Sequence, residues 1–144
     1  MNRLNIITLG VKDIKKSLAF YKGLGFKTSL DESSSIDIVF FDNEGTKLAL
    51  YPLEALARDI HLADPPKKGD GFNGITIAYN VLEKNLVDET LALAEKLGGK
   101  IIKPADQVFW GGYSGYFEDI DGYIFEVAYS ETFKFDEANM LVVE

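Results

Sequence analysis

Residues 109–129 read FWGGYSGYFEDIDGYIFEVAY and carry most of the information in the chain. An aromatic and glycine turn (Phe109, Trp110, Gly111, Gly112) leads into a short run, 113–117. An acidic turn, 118–122, follows, and then a second run, 123–129. Asp121-Gly122 between two aromatic and β-branched runs predicts a hairpin, because glycine reaches the positive φ that such turns require. Alternation in the second run sends Tyr123, Phe125, Val127 and Tyr129 to one face and Ile124, Glu126 and Ala128 to the other. Glu126 is thereby a carboxylate in mid-strand among apolar neighbours, where an unpaired charge is costly.

Upstream of the hairpin, the same order of elements occurs twice. Residues 4–11 read as a strand, Asp13 as a helix cap, and Ile14, Leu18, Tyr21, Phe20 and Leu24 as the apolar face of a helix closed by Gly23 and Gly25. Three short strands are predicted next, at 26–30, 36–41 and 46–51, with polar turns between them. Residues 53–62 suggest a short helix, and 64–71 (DPPKKGDG) a linker. The pattern then returns, with a strand at 74–79 and a helix capped by Asn85 whose apolar face is Leu86, Val87, Leu91, Leu93 and Leu97. A strand opening at 100–102 and the hairpin complete it. Leu24-Gly25-Phe26-Lys27 echoes Leu97-Gly98-Gly99-Lys100, and the stretch from Phe41 to Leu50 echoes that from Phe117 to Val127. Two such echoes indicate a duplicated βαβββ unit rather than a solenoid. The expectation is one α+β domain over 1–144, with repeat one at 4–51, a linker at 52–73, repeat two at 74–129 and a tail at 130–144. The two sheets should lie side by side with the helices outside, leaving a cleft.

Composition limits the function. The chain has 144 residues, 47% of them hydrophobic, enough for a buried core, and no apolar run approaches membrane-span length. No signal peptide is visible. Zero cysteines exclude disulfides and thiolate metal sites and fit a reducing, cytoplasmic setting. A net charge of −8 argues against nucleic acid or an anionic membrane as partner.

The motifs Val11-x-Asp13-Ile14, Ser17-Leu18-x-Phe20-Tyr21-x-x-Leu24-Gly25-Phe26 and Asp119-x-Asp121-Gly122-x-x-Phe125-Glu126-Val127 resemble the glyoxalase/bleomycin resistance/extradiol dioxygenase superfamily, the vicinal oxygen chelate proteins. The resemblance extends over residues 4–129. It implies paired βαβββ units and, in the usual member, one divalent metal held by first- and fourth-strand residues of each unit. Carried across, those positions fall on Ile6 and Ala49, and on Thr76 (Gly74 if the register slips) and Glu126. Only Glu126 supplies a metal donor, so no metal and no cofactor are expected. His61 lies in the linker and reads as a surface imidazole. The resemblance also implies a homodimer.

Alternation places mostly small residues on the expected cleft face, Thr8 and Ala49 from the first half and Thr76 and Ala78 from the second, with Tyr51 as a larger polar group among them. They either leave room for a small molecule or merely let two sheets close. Trp110 and Tyr113 beside Gly111-Gly112 read as a cap over a planar ligand, or Trp110 as a plug at a sheet edge. Glu126 has three readings: a polar anchor in a metal-free binding protein, a general base in an isomerase or lyase, or a structural group bonded to Thr8, Thr76 or Tyr51. Lys47 is the nearest candidate cation. Sequestration of a small, partly aromatic or carbonyl compound is the favoured function, with Glu126-based catalysis as the alternative.

Overall fold

The computed structural model describes residues 1–143, which form two compact units, Met1–Asn73 and the chain from Gly74 onward. The first unit contains β1 (Ile6–Val11), α1 (Ile14–Gly23), β2 (Val39–Phe40), β3 (Lys47–Pro52) and α2 (Leu53–Ile60). The second contains β4 (Ile77–Asn80), α3 (Asn85–Lys96), β5 (Lys100–Gln107), β6 (Tyr113–Glu118) and β7 (Ile124–Tyr129). Two mixed sheets and three helices make the α+β class that the repeated element order predicts.

In the first unit β3 lies between β1, which it pairs in parallel, and β2, which it pairs antiparallel. Asp13 caps α1 as expected, its carboxylate accepting from the backbone N–H groups of Lys15 and Lys16 at 3.1 Å each. Leu9, Val11, Leu18, Tyr21, Val39 and Leu50 form the core on the α1 side of the sheet. The strand expected at 26–30 does not form. Phe26 instead packs its ring against Tyr21 and Phe41, at 5.5 and 5.4 Å between centroids. The Leu30 carbonyl accepts from Lys22 Nζ at 2.9 Å, so this stretch is held by separate contacts and not by a ladder.

The expected helix after β3 is present as α2, and its position corrects the picture of an open sheet face. It contacts β1 and β3. A Cβ added to Gly10 would meet Leu53 Cδ1 at 2.7 Å and Leu56 Cδ2 at 3.2 Å. Gly10 shares its face with Thr8, Ala49 and Tyr51. The face assigned to a ligand in this half therefore carries a helix at its Gly10 end, and Ala49 is fully buried.

In the second unit the strand order is β4-β7-β6-β5, with β4 parallel to β7 and the rest antiparallel. Phe125 and Val127 of β7 and Phe117 of β6 are buried, as are Val87, Leu91 and Ala94 of α3, and α3 contacts β5, β6 and β7. Asn85 does not cap α3. It is the first helical residue, and its amide donates to Glu89 Oε1 at 2.9 Å. β5 runs through Pro104, which an edge strand tolerates because it needs no second ladder.

The letter echo between the halves is also a backbone echo. Gly25 and Gly98 have φ of 109° and 106°, directly after the α1 and α3 C-caps. Each helix ends in the same paired bonds: Phe26 N to Tyr21 O and Gly25 N to Lys22 O in one, Gly99 N to Ala94 O and Gly98 N to Glu95 O in the other.

Two glycines at close approaches separate two kinds of crowding. A Cβ at Gly115 would lie 2.5 Å from Leu91 Cδ1 and 2.8 Å from the backbone oxygen of Lys103, and a strand backbone cannot swing aside. Gly115→Ala should destabilise by about 1–3 kcal/mol, whereas Gly10→Ala, crowded first by the mobile end of Leu53, should lose clearly less. Chemical denaturation of the two variants checks the order.

Candidate functional site

The turn between β6 and β7 determines which side chains meet. Asp119 Oδ1 accepts from the N–H of Asp121 at 2.9 Å and of Tyr123 at 2.8 Å, while the Asp119 N–H donates to the Tyr123 carbonyl. The hairpin register is thereby set, with Glu118 opposite Ile124 and Tyr116 opposite Glu126. Ala78 of β4 stands on the other side of Glu126, and Lys103 of β5 beyond Tyr116. Ala78, Glu126, Tyr116 and Lys103 thus form one row across four strands, on the face opposite Phe117, Phe125 and Val127.

The strand-opening loop folds over this row. The Val108 N–H donates to the Gly112 carbonyl and the Gly111 N–H to the Val108 carbonyl, both at 2.9 Å, with Gly111 at φ 88°. The Trp110 indole lies over Gly112, with ring carbons 1.7–2.6 Å from where a Cβ would be. Only glycine permits that placement. Trp110 also stacks on Phe133 of the tail, at 6.0 Å and 22° between rings, and remains 42% exposed. The tail is itself ordered by a bridge between Phe135 and Leu141. Between loop and sheet lies a hollow of about 370 Å³, lined by Lys103, Gln107, Val108, Phe109, Trp110, Ser114, Tyr116 and Glu126.

Burial chiefly, then hydrogen bonding and negative charge from Glu126, hold the Tyr116 phenol above its ordinary value near 10. The Tyr116 hydroxyl is therefore protonated at neutral pH and serves as a donor. Lys103 Nζ sits 5.9 Å from the Tyr116 ring centroid. The row presents a cation, a phenol and a carboxylate in that order, beside exposed aromatic surface from Phe109 and Trp110.

The family model for the glyoxalase/bleomycin resistance protein/dioxygenase superfamily matches residues 3–127. The chain belongs to this superfamily. It is 30% identical over 123 residues to the uncharacterized protein YraH of Bacillus subtilis (strain 168), covering 84% of this chain and 93% of that one. A crystal structure of a glyoxalase-related enzyme from Fulvimarina pelagi is 26% identical, covers 99% of both chains and superposes with a TM-score of 0.85. A superfamily enzyme from Burkholderia phytofirmans PsJN, 20% identical over 88% of this chain and 98% of that one, shares the fold at a TM-score of 0.73.

The donor positions of this superfamily member do not fit the family metal. Parallel pairing sets Thr8, not Ile6, beside Ala49, and Ala78, not Thr76, beside Glu126. Of these four residues only Glu126 carries a strong metal donor, and a transition ion needs three or four. Among the described residues no three His, Cys, Asp or Glu side chains converge closely enough to hold an ion. His61 is exposed, its Nδ1 accepting from the Asp64 N–H at 2.8 Å.

Of the residues singled out in the sequence, Glu126, Ala78 and Trp110 are gathered at the row and its loop. Thr8, Ala49 and Tyr51 lie in the first unit, and Thr76 is exposed just ahead of β4. Tyr113 is on the opposite face: its hydroxyl bonds Asp88 of α3 at 3.1 Å, and Lys84 Nζ sits over its ring at 4.5 Å. Three positions separate it from Tyr116, so alternation sends the two apart. Lys47 is engaged by Asp42, at 3.5 Å, and by the Asn43 carbonyl. Tyr116, Ser114, Lys103 and Gln107 escaped the sequence reading. The hairpin register would have found the first two.

Two measurements follow from this geometry. Tyr113 and Tyr116 should ionise above pH 10, Tyr113 through burial and then Asp88 and Asp106. The folded values are raised, so this contribution to stability is complete below pH 10 and is lost as pH climbs through them. Spectrophotometric titration should show a late phenolate component that shrinks in Tyr116→Phe. Gly112→Ala should expel the indole, and because Trp110 is the only tryptophan, a red shift in protein fluorescence reads this directly.

Proposed function

We propose that this superfamily member binds a small molecule without a metal, in the hollow of its second unit, with Glu126 as the polar anchor. The observation that carries the reading is the hollow itself: aromatic and aliphatic wall from Val108, Phe109 and Trp110, with a few polar atoms from Lys103, Gln107, Ser114, Tyr116 and Glu126. Small-molecule sites have this design, apolar walls with sparse convergent polar groups. A partly aromatic or carbonyl compound suits the walls, and sequestration needs nothing beyond them. The donor chemistry described above supports a site that works without a transition ion. The reading includes a homodimer in the cytoplasm, which light scattering and cell fractionation test.

A second reading rests on the Tyr116–Glu126 pair. Glu126 would take a proton from a hydroxyl-bearing carbon beside a carbonyl while the protonated Tyr116 hydroxyl donates to the carbonyl oxygen. The enediol so formed would take the proton back from Glu126 at the former carbonyl carbon as its other hydroxyl returns a proton to the Tyr116 phenolate, forming the new carbonyl. Such an isomerase would exchange substrate hydrogen with solvent deuterium.

The experiment combines a thermal-shift and Trp110-fluorescence screen of a diverse small-molecule collection with metal analysis of protein purified without chelator. The expected result is saturable binding by protein free of stoichiometric metal. Glu126→Gln should keep most of the affinity, because the amide retains an acceptor oxygen, and should abolish any turnover. Stoichiometric Zn²⁺, Ni²⁺ or Fe²⁺ lost in Glu126→Ala, or a collection without a single binder, refutes the reading.

A further inference from the structure

Resting on that reading, we infer the chemical class of the ligand: a planar, aromatic acid with a hydrogen-bond donor at its far end, lying across Tyr116. Among the described residues Lys103 forms no ion pair, although three other lysines do. It flanks the hollow on β5, so its ammonium is available to an incoming anion. At the other end of the row Glu126 offers acceptor oxygens, of which the Tyr116 hydroxyl uses at most part. A ligand carrying only an acid would satisfy Lys103 and set a second negative charge toward Glu126. A ligand carrying only a cation would satisfy Glu126 and face Lys103. One molecule with an acid at one end and a neutral donor at the other satisfies both.

The spacing favours a ring between those ends. Adjacent strands stand about 4.8 Å apart, so β5 and β7 backbones are separated by roughly 10 Å. Lys103 Nζ, 5.9 Å from the Tyr116 ring centroid, and Glu126, bonded to the Tyr116 hydroxyl, both reach toward the middle strand, which shortens that span to about one ring with a substituent at each end. Tyr116 occupies the middle of the row and presents an aromatic face. Trp110 and Phe109 add flat surface above, Trp110 held by Phe133 and by its seat over Gly112. Planar rings gain offset or edge contacts from such neighbours.

The test uses Trp110 fluorescence and calorimetry with four probes: 4-hydroxybenzoate, benzoate, phenol and benzylamine. 4-Hydroxybenzoate should bind about tenfold more tightly than benzoate or phenol, the value of one hydrogen bond to a charged group, and benzylamine more weakly than all three. Lys103→Met should weaken the two acids about tenfold more than it weakens phenol, and Lys103→Arg should restore them. Glu126→Ala should weaken 4-hydroxybenzoate and phenol and spare benzoate. Melting curves establish that each variant is folded. Preference for benzylamine, equal binding of all four probes, or indifference to Lys103→Met overturns the ligand class while small-molecule binding stands. Silence of these probes alongside a hit of other chemistry in the diverse collection overturns the class as well. Silence of every compound removes both this inference and the function it rests on.

Discussion

The arrangement of the candidate site depends on a buried carboxylate in the turn between β6 and β7. Asp119 closes the β6–β7 turn by accepting two backbone N–H groups, and this bonding sets the hairpin register. Slipping the pairing by one residue would send Glu126 to the α3 side and Phe125 toward solvent. The buried Phe117–Phe125 stack, 5.2 Å between centroids and 6° between planes, penalises that slip from the other face. Polar turn and apolar face impose the same register, and Glu126 is held opposite Tyr116 as a consequence.

The second constraint is close approach. Gly115 lets β6 lie against Leu91 and the backbone of β5, bringing Lys103 into the row. Gly112 gives the indole of Trp110 the space a side chain would occupy, so the loop closes over the sheet instead of standing away from it. Phe133 from the tail then holds the other side of the tryptophan. The hollow is built by omissions of side chain as much as by their presence. The hydrogen-bonded turn and the packed α3 face determine where its polar atoms stand.

The two units share a helix ending and differ in what lies on their sheet faces. Both retain the same helix C-cap, with glycines at φ near 110° and matching bond pairs. In the first, α2 lies over the Gly10 end of the sheet face that carries Thr8, Ala49 and Tyr51, and one predicted strand is replaced by aromatic packing of Phe26. In the second, the corresponding face carries the charged and polar row.

Local chemistry determined much of this from the sequence alone. The Asp13 cap, the glycine stops after both helices, the α+β class, the hairpin and the inward alternation around Glu126 all follow from short-range rules that act within a few residues. The motifs at 11–26 and 119–127 likewise pointed to the superfamily. Tertiary structure alone decided the partners. Lys103 reaches Glu126's face through β5, across a strand pair interrupted by two register shifts, which no local pattern reports. Trp110 meets Phe133 from 23 residues away, and α2 approaches Gly10 from across β3. Tyr113 went to α3 because Asp88 offers its hydroxyl an acceptor there, and its parity along β6 permits nothing else. Periodicity assigns a side chain to a face; only the assembled sheet determines what stands beside it.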